Sequence, residues 1–171
     1  MHIQQMTKMR LNLSLAVLSL AGCANVYQAP TGANTATIEY RNESPYRMSV
    51  EIYKSSDRCT NRSMLIPLVE SQSSRLTTVT TEKDVSFTVG QDHGSEFNGV
   101  ERVIHGCLST ITFKPQNGHK YLYRHALVET KCKYQLLDVS ANDGSTIPAS
   151  FIKRERVTPF DDSGSFCKAV N

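Results

Sequence analysis

The sequence predicts an all-β fold, a single antiparallel β-sandwich of about seven to eight strands over residues 37–171. Three observations predict this fold. Apolar and polar residues alternate with a period of two in several short segments, and polar turn sequences separate these segments. No stretch of about ten residues after the N-terminal segment shows apolar residues at helical spacing. Short strands at regular intervals with polar turns are typical of sandwiches, and no internal repeat or second domain is evident.

The strands are predicted from this alternation. In the first, Met48, Val50 and Ile52 alternate with polar neighbours, which indicates a half-buried strand. The same pattern recurs over 85–89 and 107–113. Residues 121–128 are apolar on both faces, as in a central strand that is covered on both sides. Two further strands are predicted over 132–139 and 151–157.

Turn residues separate these strands. Residues 114–118, Lys-Pro-Gln-Asn-Gly, predict a hairpin between the strands at 107–113 and 121–128. Residues 142–144, Asn-Asp-Gly, predict a second turn. Residues 91–99, which include two glycines, predict a surface loop, and loops on rigid sandwiches often carry function. His93 and Phe97 in this loop are the candidate partner contacts.

The N-terminal segment has the composition of a secretory signal. Lys8 and Arg10 precede an apolar stretch over 11–21 that is too short to span a bilayer, which needs about 20 apolar residues. The stretch ends in Leu-Ala-Gly followed by Cys23, which has the form of a bacterial lipobox. An ordinary signal peptide that happens to precede a cysteine is the alternative.

This motif resembles that of bacterial lipoprotein precursors. The resemblance implies cleavage before Cys23, diacylation of its thiol and acylation of the new N-terminus. Ala24, where an aspartate would indicate inner-membrane retention, resembles an outer-membrane sorting signal. The expected organisation is therefore a signal peptide over 1–22, a lipidated flexible tether over 23–36 with a reach of roughly 20 Å, and a periplasmic domain on the outer membrane.

Four cysteines follow Cys23, and an even number in an exported chain predicts two disulfides. Cys59, Cys107, Cys132 and Cys167 leave three connectivities open. We favour Cys59 with Cys107 and Cys132 with Cys167, because this order joins neighbouring segments. Metal ligation is the alternative, but the spacing does not match a zinc knuckle, so no metal or cofactor is predicted.

Composition and motifs argue against two functional classes. The chain has 19 Lys and Arg against 16 Asp and Glu, and two of the basic residues lie in the signal segment, so nucleic acid is not an expected partner. No G-x-S-x-G, H-E-x-x-H or P-loop motif is present, so no enzyme is predicted. A Ser/His/Asp set assembled in space remains open. The basic run at 153–156 indicates a protected sheet edge, or a contact with an anionic envelope polymer.

Histidines also fail to suggest a metal site. His119 and His125 would lie on one face of a single strand, about 20 Å apart. His93 and His105 flank the predicted loop, and only the fold could bring them together. Hydrogen-bonded or solvated histidines are the favoured interpretation.

The lipobox, the short tether, the β-rich body and the paired cysteines together resemble small, uncharacterised lipoproteins of Gram-negative bacteria. The segment from Phe113 to Tyr121 resembles a hairpin of PEGA-like or transthyretin-like periplasmic sandwiches. This resemblance implies a non-catalytic binding or scaffold module of an envelope complex. An inhibitor of a lysozyme or protease is the first alternative, although lysozyme-inhibitor lipoproteins usually carry Trp, which this chain lacks. An envelope enzyme is the second, and would need a pocket that holds Ser, His and Asp.

Overall fold

A computed structural model describes residues 25–68, 73–97, 99, 102–129, 131–161 and 163–169. The predicted signal peptide and the predicted lipidation site, Cys23, lie outside these residues. The described residues form ten strands and no helix: β1 Thr35–Asn42, β2 Met48–Ser55, β3 Thr60–Leu68, β4 Ser74–Thr80, β5 Val85–Phe97, β6 Arg102–Phe113, β7 Lys120–Val128, β8 Lys131–Asp138, β9 Ile147–Pro148 and β10 Ile152–Arg154.

The strands form two five-stranded sheets. The first has the order β4-β1-β7-β8-β9 and the second the order β10-β6-β5-β2-β3. The all-β prediction is confirmed, but two details differ. Strands β1 and β7 are parallel, so the first sheet is mixed rather than antiparallel. The strand number exceeds the prediction because β3, β4 and the short β9 carry only weak apolar alternation. Strand β1 does alternate, but it begins at Thr35, within the segment that was predicted to be the tether.

The core lies where the apolar faces of the two sheets meet. Tyr40 of β1 and Tyr123 of β7 come from the first sheet, and Phe87 of β5 comes from the second; all three are fully buried. The rings of Tyr40 and Phe87 lie 5.1 Å apart and nearly perpendicular, and those of Phe87 and Tyr123 have the same spacing. Edge-to-face pairs of this kind add to the stabilisation from buried area. They also fix the register of one sheet on the other.

The hairpin predicted at 114–118 is wrong. Strand β6 ends in the second sheet and β7 begins in the first, so this segment crosses between sheets. Its turn residues bond to β1 instead of closing a hairpin: the Gly118 amide donates to the Thr35 carbonyl at 2.8 Å, and the Asn117 side chain accepts from the Thr35 amide at 3.0 Å. Strand β1 thereby takes the place beside β7 that the prediction gave to β6.

The second predicted turn is confirmed. The Gly144 amide donates to the Ala141 carbonyl, and Gly144 has a φ of 76°. This conformation strongly favours glycine. The turn leads from β8 into the short β9, which pairs back on β8.

The structure contains two disulfides, but the favoured connectivity is wrong. Cys59 is bonded to Cys167, and Cys107 to Cys132. The first links the β2–β3 turn to the C-terminal segment, and the second links the two sheets through β6 and β8. The prediction failed because the C-terminal segment returns from β10 to the β2–β3 turn, which places Cys167 beside Cys59 despite their separation of 108 residues.

The C-terminal segment, residues 155–168, covers the outer face of the second sheet. It leaves β10 at one edge and is bonded through Cys167 to Cys59 beside β3 at the other. Phe166 packs on Tyr53 with ring centres 5.7 Å apart. A hydrogen-bonded series of hydroxyls, Tyr53 to Thr88 to Thr110, is buried beneath this segment. Strand β2 is therefore covered on both faces.

The strand predicted over 151–157 ends at Arg154.

Candidate functional site

Strands β5 and β6 continue past the rest of their sheet as a two-stranded ribbon. Strand β2 pairs with β5 only as far as Gln91, opposite Met48. Pairing between β5 and β6 goes on from Asp92 opposite Gly106 to Phe97 opposite Arg102. We call residues 92–97 and 102–106 the ribbon. Six residues of strand extend about 20 Å. Among the described strands, this part of β5 pairs only with β6, and this part of β6 pairs only with β5.

The ribbon replaces the loop predicted over 91–99. The register shifts between Asp92 and Gly94, which leaves His93 as the extra residue of a β-bulge. Gly94 has a φ of 106°, which other residues rarely adopt. The polar residues and glycines of 91–99 are typical of a loop, which is why a loop was predicted. In the structure, the bulge accommodates His93 and Gly94 within strand β5. Phe97 is described only through its backbone pairing, and so is His105, which pairs with Gly94.

A rigid group of polar side chains lies where the ribbon leaves the body. The rings of His93 and Tyr46 lie 4.5 Å apart, and His93 Nε2 lies 3.4 Å from Gln91 Oε1. Gln91 Nε2 donates to Asn42 Oδ1 at 2.8 Å, and Asn42 Nδ2 donates to the Tyr46 carbonyl at 2.7 Å. Asn42 also accepts from the Ser44 amide at 3.0 Å. Because Asn42 and Gln91 are buried, these bonds hold His93 and Tyr46 in fixed positions on the surface.

A buried imidazole lies close to this group. His125 on β7 is fully buried, and its Nδ1 lies 3.4 Å from the Tyr123 hydroxyl, which in turn bonds to Ser109 at 2.6 Å. Its Nε2 has no hydrogen-bond partner among the described residues. Burial, with a smaller contribution from His93, lowers the pKa of His125 to about 4. The fold therefore brings His93 and His125 near each other, which sequence spacing could not indicate, and keeps His125 neutral at pH 7.

A cavity of about 560 Å³ lies at the end of the body opposite the ribbon. It is formed where two segments cross between the sheets, and His119, Tyr121, Asp138 and Ser150 line it. His119 Nδ1 lies 2.6 Å from Asp138 Oδ2. Burial raises the pKa of Asp138, but hydrogen bonds from Ser140 and His119 outweigh it, so that the pKa is lowered. We call this the inter-sheet cavity.

The inter-sheet cavity holds an imidazole that a carboxylate orients, as in general acid–base catalysis. Ser150 lines the same cavity, but within the described part of the chain no hydrogen bond joins it to His119. The described residues also contain no group of three or more His, Cys, Asp or Glu that could hold a metal ion. His119 and His125 do not come together. The pairing of His119 with Asp138 was not predicted, because His119 precedes β7 whereas Asp138 ends β8, and only the pairing of these strands brings the two together.

The basic run at 153–156 does not form one surface patch. Lys153 is exposed on β10, the edge strand of its sheet, whereas Arg154 is buried. Arg154 donates to Thr112 Oγ1 at 3.0 Å and to the carbonyls of three residues, Ser56, Asp57 and Lys168. Its guanidinium therefore ties β10 to the β2–β3 turn and the C-terminal segment. This is a structural role.

Comparison with known proteins gave no family: no family model matches the chain, and no curated protein matches it. Among the described residues there is no helix of the length and apolarity needed to cross a membrane.

Proposed function

We propose that this protein is a lipoprotein anchored through Cys23 to the periplasmic face of the outer membrane. In this proposal the β-sandwich body is a non-catalytic binding module that docks on an envelope protein complex through the ribbon. The lipobox of the sequence supports the anchor, and the two disulfides fit an oxidising compartment. The extension of β5 and β6 beyond their sheet is the observation that carries the docking function.

A ribbon of this kind suits protein recognition. The outer edges of paired strands carry backbone amides and carbonyls that a partner strand can bond, and proteins commonly use such edges for strand addition. The Cys107–Cys132 disulfide lies next to the ribbon, since Cys107 pairs with Gln91 at its base. Together with the Asn42 and Gln91 hydrogen bonds, it fixes the direction in which the ribbon leaves the body. A fixed ribbon loses little conformational entropy on binding.

In-cell crosslinking of the acylated protein, followed by affinity purification and mass spectrometry, tests this function. The informative variant lacks three paired residues from each strand, 95–97 and 102–104, and keeps Gly94 opposite His105. The control is Leu76→Ser, on the exposed edge of the other sheet. We expect one dominant envelope protein with the unaltered chain and the control, and its loss with the shortened ribbon. Unchanged capture by the shortened ribbon would contradict docking through it, and capture of a muramidase would favour the inhibitor.

A hydrolase is the second candidate function, because the inter-sheet cavity holds Ser150, His119 and Asp138 together. A fluorophosphonate probe labels activated serines. Labelling of Ser150 that is lost in a His119→Gln variant would support a hydrolase. Labelling that is equal in unfolded and folded protein would contradict it.

A further inference from the structure

The first described residues are bound to the body and do not form a free tether. Val26 forms a parallel bridge with Met64 of β3, the Met64 amide donates to the Asn25 carbonyl at 2.8 Å, and the Tyr27 amide donates to the Met64 carbonyl at 3.2 Å. The Tyr27 hydroxyl then donates to the Thr78 carbonyl on β4, in the other sheet. The expectation of a flexible tether therefore does not hold for residues 25–27.

This attachment shortens the distance between the body and the anchor. Only Ala24 separates Cys23 from Asn25. Two residues of extended chain reach at most about 7 Å, against the roughly 20 Å expected of a free tether. A body held this close to its acyl chains contacts the bilayer on the side where Asn25 lies.

We propose that the anchored protein lies directly against the bilayer, with the surface around Asn25 on the phospholipid headgroups. This inference rests on the proposed lipidation of Cys23. We call this surface the anchor face and define it by five exposed residues: Asn25, Val26, Lys54, Asn61 and Lys83.

The anchor face has side chains that suit an interface between water and lipid. Val26 is 50% exposed, and the residues of the face line an open groove of about 490 Å³ between the N-terminal segment and the strands beside it. Lys54 and Lys83 carry ammonium groups of the kind that pair with phosphate, on stems that can lie along apolar surface. The Lys83 ammonium also donates to the Lys54 carbonyl, which keeps it on this face. Glu82 and Asp84 flank Lys83, so the face is not strongly basic. The short chain to Cys23, and not net charge, brings it to the membrane.

This orientation directs the ribbon away from the membrane. Residues 25–27 run parallel to β3, which begins at Thr60 after the β2–β3 turn, so the chain enters the body near that turn. In the register of β2 with β5, Tyr53 lies opposite Ser86 near the turn, and Met48 lies opposite Gln91 at the other end. The ribbon continues beyond Gln91. The anchor and the ribbon therefore lie at opposite ends of the second sheet.

The full-length chain contains no Trp, so a single introduced Trp is a unique fluorescent probe of this orientation. The lipidated Lys54→Trp variant would be reconstituted in phosphatidylethanolamine/phosphatidylglycerol vesicles that contain a headgroup-level spin-labelled lipid. The matched control is lipidated Lys131→Trp, an exposed lysine at the start of β8, near the ribbon end. We expect at least threefold stronger quenching of the Trp at position 54. Equal quenching at the two positions would overturn the inference.

A spacer variant separates contact through the short chain from adventitious binding. Ten Gly and Ser residues inserted between Ala24 and Asn25 leave the attachment to β3 intact and lengthen the link to the lipid. We expect quenching at position 54 to fall to the level at position 131. Quenching that does not fall would contradict a contact imposed by chain length.

Flotation and the mass of the N-terminal peptide identify which proposal fails. A chain that is not acylated at Cys23 and does not float with the vesicles overturns the proposed anchor. An acylated chain that floats but shows equal quenching at positions 54 and 131 overturns only the orientation.

Discussion

The Tyr27 hydroxyl donates a 2.8 Å hydrogen bond to the Thr78 carbonyl and so joins the edges of the two sheets. Tyr27 lies in the segment that pairs with β3, the edge of the second sheet, and Thr78 lies in β4, the edge of the first. Burial raises the pKa of Tyr27 to about 12, so the phenol stays protonated and remains a donor at neutral and mildly alkaline pH. Three residues near the N-terminus thus close one open side of the body.

Removal of this hydroxyl should weaken the N-terminal attachment. We expect Tyr27→Phe to lower the free energy of unfolding by about 1 kcal/mol, the usual net value of a hydrogen bond. Tyr27→Ala should cost about 2 kcal/mol, because the half-buried ring packs against the core. Urea denaturation followed by circular dichroism measures both. The control is Tyr46→Phe, since no hydrogen bond of the Tyr46 hydroxyl is found among the described residues; an equal loss there would contradict the assigned role.

The two disulfides should contribute unequally to stability. Cys59 and Cys167 are 108 residues apart, and Cys107 and Cys132 are 25 apart. The loop-entropy relation gives about 4.8 kcal/mol for the longer loop and about 3.5 kcal/mol for the shorter. Replacement of Cys59 and Cys167 by alanine should therefore lower the free energy of unfolding more than replacement of Cys107 and Cys132. Denaturant unfolding of the two variants measures the difference. Hydrogen exchange in residues 155–168 should also rise when the Cys59–Cys167 disulfide is removed, but not when the Cys107–Cys132 disulfide is removed. A rise in both variants would contradict the assignment of the C-terminal segment to the first disulfide alone.

The buried His125 should make stability depend on pH. Its folded-state pKa is about 4, below the value of about 6.5 in an unfolded chain, so the unfolded state binds more protons between these values. Stability should be unaffected above pH 6.5 and should fall by about 3 kcal/mol as the pH drops towards 4.

Urea unfolding at several pH values between 4 and 7 checks this prediction. The lowered pKa of Asp138 affects stability only below about pH 4, because the unfolded carboxyl is ionised above that value. A His125→Leu variant should show a much smaller slope between pH 4 and 6.5, whatever its absolute stability. An unchanged slope in that variant would assign the dependence to another group.

Arg154 should be essential for the attachment of the C-terminal segment. An Arg154→Met variant leaves the carbonyls of Ser56, Asp57 and Lys168 without their donor. We expect a loss of about 3 kcal/mol and faster hydrogen exchange in residues 155–168. The control is Lys153→Met on the same strand, an exposed side chain whose replacement should change stability by less than about 0.5 kcal/mol. Comparable losses in the two variants would contradict the assigned role.

Strands β2 and β5 were predicted well because their alternate residues enter the core. Val50 and Ile52 on β2, and Phe87 and Val89 on β5, are all buried, as the period of two requires. Edge strands β3 and β4 were missed because an edge strand needs fewer apolar residues. Local pattern also cannot specify which strand pairs with which: the Asn117-Gly118 turn satisfies its hydrogen bonds on Thr35, more than eighty residues away.

The candidate sites were less predictable than the strands, for a related reason. His93 was predicted as a partner contact in a loop, because the glycines around it indicated a loop rather than the β-bulge that the structure shows. The contacts of His93 with Tyr46, and of His119 with Asp138, depend on pairing between distant segments. No property of either histidine's neighbours in sequence carries that information.

The bulge at Gly94 should control the order of the ribbon. A Cβ at this position would meet no atom within 4 Å, so any effect of Gly94→Ala comes from its φ of +106° alone. We expect a loss of about 1 to 2 kcal/mol that is confined to the ribbon. Hydrogen exchange should rise in residues 92–97 and 102–106 and stay unchanged in β1 and β7. The control is Gly32→Ala, which has equally open space and no positive φ. Unchanged hydrogen exchange of the ribbon in both variants would contradict a role of the bulge in setting the ribbon's geometry. In that case the Gly94→Ala variant should also capture a partner as well as the unaltered chain does.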